Sequence, residues 1–320
     1  MVQGGKDPGR AYPGLSPKGV RAAKDLDGHM SKEHEQPDEK IDAIRKFLME
    51  IFPERFAQSA TEEAHAFLGA IKAGDFETVR RMIQSNGDLL FIMDDYYGSP
   101  VRAATDKNAE IADFLARIEL ERLREGSVPK EELYGAIHDL GEAAHAETGY
   151  RGCESLRAEA EPVVAGFLAH DDDQIRYIAM SVLATHWDLK HYAQVFQSMA
   201  QSDPDEFVRQ IAVSDVGWLL RGSRDHGAGR FLLGIFRDPV QPTRIREEAY
   251  EGLVEIWQGW NAAQALWARK LKQKDLLRSE AERAGEGLQA EQLSENAWKE
   301  FIDWNFVAQV EREVKDRGRL

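Results

Sequence analysis

Apolar residues recur every three or four positions along much of this chain, which is the spacing of one face of an α-helix. One such stripe occupies 41–51 and ends at Pro53, so a helix is predicted over about 38–52. Comparable patterns predict helices over about 128–146 and 158–170. The hydrophobic pattern therefore predicts an all-α fold.

One short motif occurs three times within 171–257. It consists of a β-branched residue, an arginine, two spacers and an alanine, and its copies are Ile175-Arg176-x-x-Ala179, Val208-Arg209-x-x-Ala212 and Ile245-Arg246-x-x-Ala249. A second apolar segment follows each copy, near 189–199, 231–236 and 263–271. Each copy and its following segment predict a helical hairpin, and repeated hairpins predict an α-solenoid of stacked pairs.

Proline-containing caps precede the second and third copies. Asp203-Pro204-Asp205-Glu206 predicts a helix start, with Asp203 as the capping residue, Pro204 in the first turn and Glu206 at the third position. Pro242 has the same role before the third copy. These caps place the arginine of each copy in the first helix of its hairpin.

The three copies resemble HEAT-like repeats over about 158–270. Their arginines are 33 and 37 residues apart, and the pattern Asp-x-x-x-(Val/Ile)-Arg-x-x-Ala is characteristic of that family. The resemblance implies a superhelix whose concave face holds a protein, with a buried ladder of Asp and Arg between neighbouring repeats. It therefore implies a structural role for Arg176, Arg209 and Arg246, because a charge on a packed face is normally paired.

A second period occupies about 61–117. The segment 74–83 is echoed by 107–116, 33 residues later, and this segment resembles degenerate ankyrin repeats. Lys107 stands where that family has glycine, and Arg102 stands where it has histidine. Two ordinary helical hairpins with the same period are the alternative.

A turn and a helix start are predicted between the two echoes. Gly98 can adopt positive φ without steric cost, Ser99 can cap a helix, and Pro100 suits the first helical position. Ala103 and Ala104 are small enough to let two helices approach closely.

Four segments follow from these patterns. Residues 1–38 are rich in Gly, Pro, Lys and Asp and are predicted to form a disordered tail, because they cannot bury enough apolar surface to fold. The segment 39–127 is predicted to hold ankyrin-like hairpins, and 128–271 the HEAT-like repeats. Charged helices over 272–320 are predicted to cap the stack.

Charge and composition narrow the functional classes. The 56 acidic and 41 basic residues give a formal net charge of −15, which disfavours nucleic-acid binding. The same charge suits a protein partner with a basic patch, although it also serves solubility alone. The single cysteine, Cys153, excludes an internal disulfide and a cysteine-cluster metal site. Without a long apolar run or a secretory leader, a cytoplasmic location away from membranes is expected.

Candidate chemistry is sparse. His138, Glu142 and His145 would share one helix face and form a weak candidate for a metal site, against the simpler interpretation of a solvated polar face. No cofactor is predicted. Phosphate loops, nucleophile elbows, zinc-protease motifs and dinucleotide fingerprints are missing from the sequence, which disfavours the common enzyme classes.

Candidate partner-binding residues come from aromatic and acidic composition, which is typical of interface hot spots and recognition loops. They are Asp94, Asp95, Tyr96, Tyr97, Trp218 and Trp257. Tryptophans at helical spacing also suit a core, and the acidic–tyrosine loop also suits a plain polar turn.

The sequence therefore favours a non-enzymatic protein-binding solenoid that holds a basic partner, for example as an inhibitor or immunity-type protein. The alternative is a HEAT-like enzyme, either DNA glycosylase-like or bilin lyase-like. The glycosylase interpretation would need Trp187, Asp188 and Trp218 exposed together in a basic cleft. The sequence does not specify the identity of the partner or the oligomeric state.

Overall fold

The computed structural model describes residues 61–92, 99–105, 107–149, 153–284 and 298–317, with side chains described up to 272 and again over 298–315. The predicted tail, the predicted helix over 38–52 and the acidic–tyrosine loop at 94–97 lie outside these ranges.

All regular structure in the described ranges is helical. Thirteen α-helices, short 3-10 turns and one π-helical turn occur there, without a strand, and the predicted all-α class is confirmed. No helix among these residues combines the length and apolar character that a bilayer crossing requires. The chain divides into two compact units, Met1–Val182 (unit 1) and Leu183–Leu320 (unit 2).

Unit 1 contains seven described α-helices. They are α1 (Glu62–Ala73), α2 (Phe76–Ser85), α3 (Pro100–Thr105), α4 (Ala109–Glu125), α5 (Leu133–Ala143), α6 (Glu154–Gly166) and α7 (Asp173–Ser181). The short α3 contacts α1, α4 and α5, while α6 contacts α4 and α7 contacts α5. Fully buried side chains between them include Phe67, Leu115, Ile137 and Leu156, so the core is aliphatic and aromatic.

The predicted start of α3 is confirmed. Ser99 Oγ accepts the Arg102 backbone N–H at 3.2 Å, and Pro100 is the first helical residue. Ala103 and Ala104 are both buried. This helix start was predictable because a hydroxyl cap and a first-turn proline meet needs of the backbone that arise within a few residues.

Unit 2 begins within a π-helical turn over Val182–His186. Its α-helices are α8 (Ala193–Ser202), α9 (Glu206–Leu219), α10 (His226–Arg237), α11 (Thr243–Gln258), α12 (Trp260–Ala284) and α13 (Trp304–Arg317). Helix α9 packs against α8 and α11, and α11 also contacts α10 and α12. Helix α13 packs on α10.

The second motif copy begins its helix later than predicted. Asp205 occupies the N-cap, and its Oδ1 accepts the Val208 N–H at 3.0 Å. Asp203 instead accepts the Asp205 N–H at 2.9 Å. The prediction of Asp203 as the cap was therefore wrong, because the two aspartates are used in sequence, the first for the turn and the second for the helix.

The motif arginines bind main-chain oxygens. Arg176 Nη1 donates to the carbonyls of His170 and Asp171 at 2.9 and 3.0 Å. Arg209 Nη1 donates in the same way to Asp203 and Pro204 at 2.8 and 3.1 Å. These two guanidinium groups thus fasten the turn before their own helices, whereas Arg246 Nε donates to the Phe236 carbonyl of α10 at 3.1 Å.

Helices α9 and α11 approach each other at two glycines. A Cβ atom added at Gly217 would lie 2.5 Å from the Gly252 Cα and 2.6 Å from Glu255 Oε2. No side chain fits at this crossing, so the backbones meet directly. The crossing also fixes which α11 side chains lie beside α9.

We predict that Gly217→Ala destabilises unit 2 by about 1–3 kcal/mol, because the new methyl group meets backbone atoms that cannot move independently. Gly234→Ala in α10 is the matched control, since its Cβ would meet nothing within 4 Å. That exposed helical substitution should stabilise by about 0.5–1 kcal/mol. Urea unfolding followed by tryptophan fluorescence tests this, because all seven tryptophans lie in unit 2. Equal effects of the two substitutions would contradict the close crossing.

Candidate functional site

Three half-buried tryptophans from α9 and α12 form a row. The Trp218 and Trp260 ring centroids are 4.9 Å apart at 88°, and those of Trp260 and Trp267 are 5.0 Å apart at 83°. Trp218 Nε1 donates to the Ala184 carbonyl at 3.2 Å, which fixes its ring. Edge-to-face pairs of this kind are rigid and attractive. We call Trp218, Trp260 and Trp267 the tryptophan row.

Five carboxyl groups on α9 and α11 lie close together. Four are on α11 at spacings of one, three and four residues, and Asp215 of α9 adds the fifth. Asp215, Glu251 and Glu255 are only 5%, 8% and 4% exposed. We call Asp215, Glu247, Glu248, Glu251 and Glu255 the acidic cluster. Burying this many carboxyl groups is costly unless protons or cations accompany them.

One part of the acidic cluster is well satisfied. Lys270 Nζ bonds to Glu251 Oε1, and it lies 3.3 Å from Glu247 Oε2. Trp267 Nε1 donates to Glu251 Oε2 at 2.5 Å. The hydrogen bond from Trp267 to Glu251 therefore joins the tryptophan row to the acidic cluster, and the two form one continuous site.

The other part of the cluster lacks a cation. Gln210 Nε2 donates to Glu248 Oε1 at 2.9 Å, but Asp215 Oδ2 is buried without a hydrogen-bond partner. Within the described residues, no lysine or arginine forms an ion pair within 4.0 Å of Asp215, Glu248 or Glu255. A buried acceptor without a partner is rare in native proteins and calls for an explanation.

The pKa values of three carboxyl groups of the cluster are raised. Burial, followed by repulsion from Glu251, raises the pKa of Glu255 to about 8 and the pKa of Glu248 to about 7. Burial and the charge of Glu248 raise the pKa of Asp215 well above its ordinary value. A carboxyl group with a raised pKa keeps its proton to a higher pH, and a bound cation would favour its ionised form.

A strained aspartate borders the site. Asp188 has φ +52°, which is unusual for a residue with a Cβ, and it follows the π-helical turn over Val182–His186. Its carboxylate forms two bonds to Arg221, at 2.9 Å to Nη1 and 3.3 Å to Nη2. The Arg221 guanidinium also lies 4.5 Å from the Trp218 ring centroid. Arg221 is therefore held by Asp188 and Trp218.

The predicted partner-binding residues fall in different places. Trp218 belongs to the tryptophan row, whereas Trp257 is only 5% exposed and donates to Glu313 Oε2 at 2.8 Å. Trp187, which the glycosylase interpretation requires to be exposed, is 2% exposed. The other predicted partner-binding residues, Asp94, Asp95, Tyr96 and Tyr97, lie outside the described residues.

The predicted metal-site residues do not stay on one helical face. His138 Nε2 lies 3.8 Å from Glu142 Oε1, as i, i+4 spacing requires. Helix α5 ends at Ala143, so His145 lies beyond it. His145 Nδ1 accepts the backbone N–H groups of Glu147 and Thr148 at 3.0 and 3.3 Å, which directs that nitrogen to the main chain.

None of the acidic-cluster residues was predicted as a site residue from the sequence. The signal was present, because carboxyl groups at 247, 248, 251 and 255 share one face of a predicted helix. Asp215 was not detectable in this way, since only the packing of α9 on α11 brings it to that face.

We predict that unit 2 loses stability as the pH rises from about 5 to 8. A carboxyl group whose folded-state pKa is raised stabilises the fold below its unfolded value near 4.3, and this contribution is lost as the pH rises through the folded value, about 8 for Glu255. Glu255→Gln should reduce the loss by on the order of 2 kcal/mol. Urea unfolding at pH 5 and pH 8 measures it.

The matched control is Glu125→Gln, which removes an exposed carboxylate at the end of α4. It should leave the pH dependence of the tryptophan transition unchanged. A Glu255→Gln profile parallel to that of the unmodified protein would contradict the buried position of this carboxyl group.

Comparison with known proteins adds no relative. No protein-family model, curated protein or solved structure matches this chain. The function is therefore inferred from the tryptophan row and the acidic cluster.

Proposed function

We propose that this chain is a non-enzymatic binding protein that holds a basic protein partner through unit 2. The observation that carries the proposal is the position of the half-buried tryptophan row beside carboxyl groups that lack a counter-charge. An aromatic surface with adjacent negative charge is chemically complementary to lysine-rich or arginine-rich protein surfaces.

The whole-chain charge supports the same partner class. A net charge of −15 accelerates encounter with basic proteins and repels nucleic acid. The tryptophan row would then supply most of the contact energy, because buried aromatic anchors dominate interface affinity. An inhibitor or immunity-type protein is one concrete form of this function.

The proposed frame is a solenoid of HEAT-like hairpins, preceded by ankyrin-like hairpins. Its support is that α9 and α11, which carry the second and third motif copies, pack directly on each other. Successive first helices are neighbours in such stacks. The tryptophan row and the acidic cluster would then lie where the repeats of the second and third copies meet.

The alternative of a HEAT-like DNA glycosylase has less support. Trp218 and Asp188 do lie together with Arg221, a set that could face a nucleotide. However, Trp187 is buried, and the guanidinium that would bind a phosphate is held by Asp188. The neighbouring acidic cluster would repel a phosphodiester.

We predict that Trp218→Ala combined with Trp260→Ala weakens partner binding by about tenfold or more, since the loss of interface aromatic anchors typically costs about 2 kcal/mol or more. The tagged protein would capture its partner, and the purified pair would then be measured by calorimetry at 50 and 500 mM salt. Binding should weaken with salt because the cluster attracts basic residues.

Trp304→Ala is the matched control for tryptophan removal, because Trp304 is 51% exposed on α13 and lies outside the row. It should leave the affinity unchanged. A partner that binds equally well to the Trp218/Trp260 variant, or one that is acidic and salt-insensitive, would refute the proposal.

A further inference from the structure

We infer that the acidic cluster and the tryptophan row form a site for a single lysine side chain of the partner protein. This inference rests on the proposed function and specifies the group that unit 2 recognises. The ammonium would lie between Asp215 and Glu255, and its aliphatic stem would pack on the tryptophan row.

The positive charge beside the acidic cluster is unevenly distributed. The cluster holds five carboxyl groups, and Lys270 bonds only to Glu247 and Glu251. Asp215 and Glu255 are each at least nine-tenths buried, and no described lysine or arginine forms an ion pair with either. A second cation would relieve their mutual repulsion.

A buried hydrogen-bond acceptor without a partner also supports a ligand at this position. Asp215 Oδ2 is a buried acceptor without a hydrogen-bond partner, and its carboxyl group lies within electrostatic range of Glu248 and Glu255. It therefore lies close to the other carboxyl groups of the acidic cluster. An ammonium donor there would provide the missing hydrogen bond, which is worth more with charged partners than with neutral ones.

Lys270 shows how this cluster binds an ammonium group. Its Nζ contacts carboxylates one helical turn apart, while Trp267 Nε1 shares the Glu251 carboxylate. Glu255 lies one turn further along α11 and faces α9. Asp215 of α9 lies within electrostatic range of Glu255 there, so two carboxyl groups are again close together, whereas the Trp218 N–H is bonded to the Ala184 carbonyl.

The shape of the crossing favours lysine over arginine. Gly217 allows Glu255 Oε2 to lie against the α9 backbone, where any larger residue would displace it. Asp215 and Glu255 come from different helices. A compact ammonium with three rotatable donors can bond both, whereas a planar guanidinium requires coplanar acceptors.

The test titrates the full chain with a blocked Gly-Lys-Gly peptide, followed by tryptophan fluorescence. The matched control peptide replaces lysine with norleucine, which keeps the stem and removes the charge. We expect the lysine peptide to bind at about millimolar concentration and the norleucine peptide at least about tenfold more weakly. The variant Asp215→Asn with Glu255→Gln should weaken lysine-peptide binding about tenfold, and Glu125→Gln should not.

Calorimetry at pH 7.5 in two buffers of different ionisation enthalpy adds a second readout. Ammonium binding should release protons from the cluster, whereas docking on the tryptophans alone would release none. The single variant Glu255→Gln keeps the test decisive if the double variant fails to fold, and it should bind the peptide more weakly than the unmodified protein.

The inference is overturned if the lysine peptide binds no better than the norleucine peptide, or if the carboxyl variants bind it normally. It is also overturned if free spermidine binds and the peptide does not, because the ligand would then be a soluble amine. Partner binding that is lost with Trp218→Ala and Trp260→Ala but kept with Asp215→Asn and Glu255→Gln would leave the proposed function intact and refute only the lysine site.

Discussion

The close approach of α9 and α11 at Gly217 and Gly252 governs the chemistry of unit 2. Without side chains at the crossing, the helices meet backbone to backbone, and carboxyl groups from both are forced into one poorly solvated volume. Glu255 Oε2 lies against the α9 backbone at this crossing, and Asp215 and Glu255 are both buried, although each would be a solvated group on an isolated helix. The packing of the two helices thus makes ionisation of these carboxyl groups costly, which it would not be on either helix alone.

Protons and cations compete to neutralise these carboxyl groups. Protons can neutralise the carboxyl groups, which the raised pKa values of Glu248 and Glu255 indicate for the protein by itself. A cation can replace those protons if its hydrogen bonds exceed the cost of removing it from water. The chain already applies the second solution at Glu251, where Lys270 and Trp267 both bond to one carboxylate. Cation binding at the rest of the cluster therefore needs only chemistry that the protein already uses.

The sequence was sufficient to predict the helical class and several helix starts, but only part of the site formed by the tryptophan row and the acidic cluster. Local signals were sufficient where one residue serves its own turn, as with Ser99 and Pro100 at the start of α3. They were insufficient at Asp203, where two neighbouring aspartates compete for the cap. Trp218 and Trp257 look alike in sequence, yet one is half-buried and the other lies in the core. Only tertiary packing separates them, because both occupy apolar positions of helices.

Arg221 lies near the acidic cluster but is engaged by Asp188. Its positive charge opposes the rise in the pKa of Glu255, yet its guanidinium bonds to the Asp188 carboxylate. Asp188 has a φ of +52°, which costs about 1 kcal/mol, and the charge-assisted bonds to Arg221 offset part of that cost. Within the described residues, Arg221 therefore acts on Glu255 through its charge and not through an ion pair. The proposed lysine site depends on this arrangement, because an arginine bonded to Glu255 would occupy the position assigned to the ammonium.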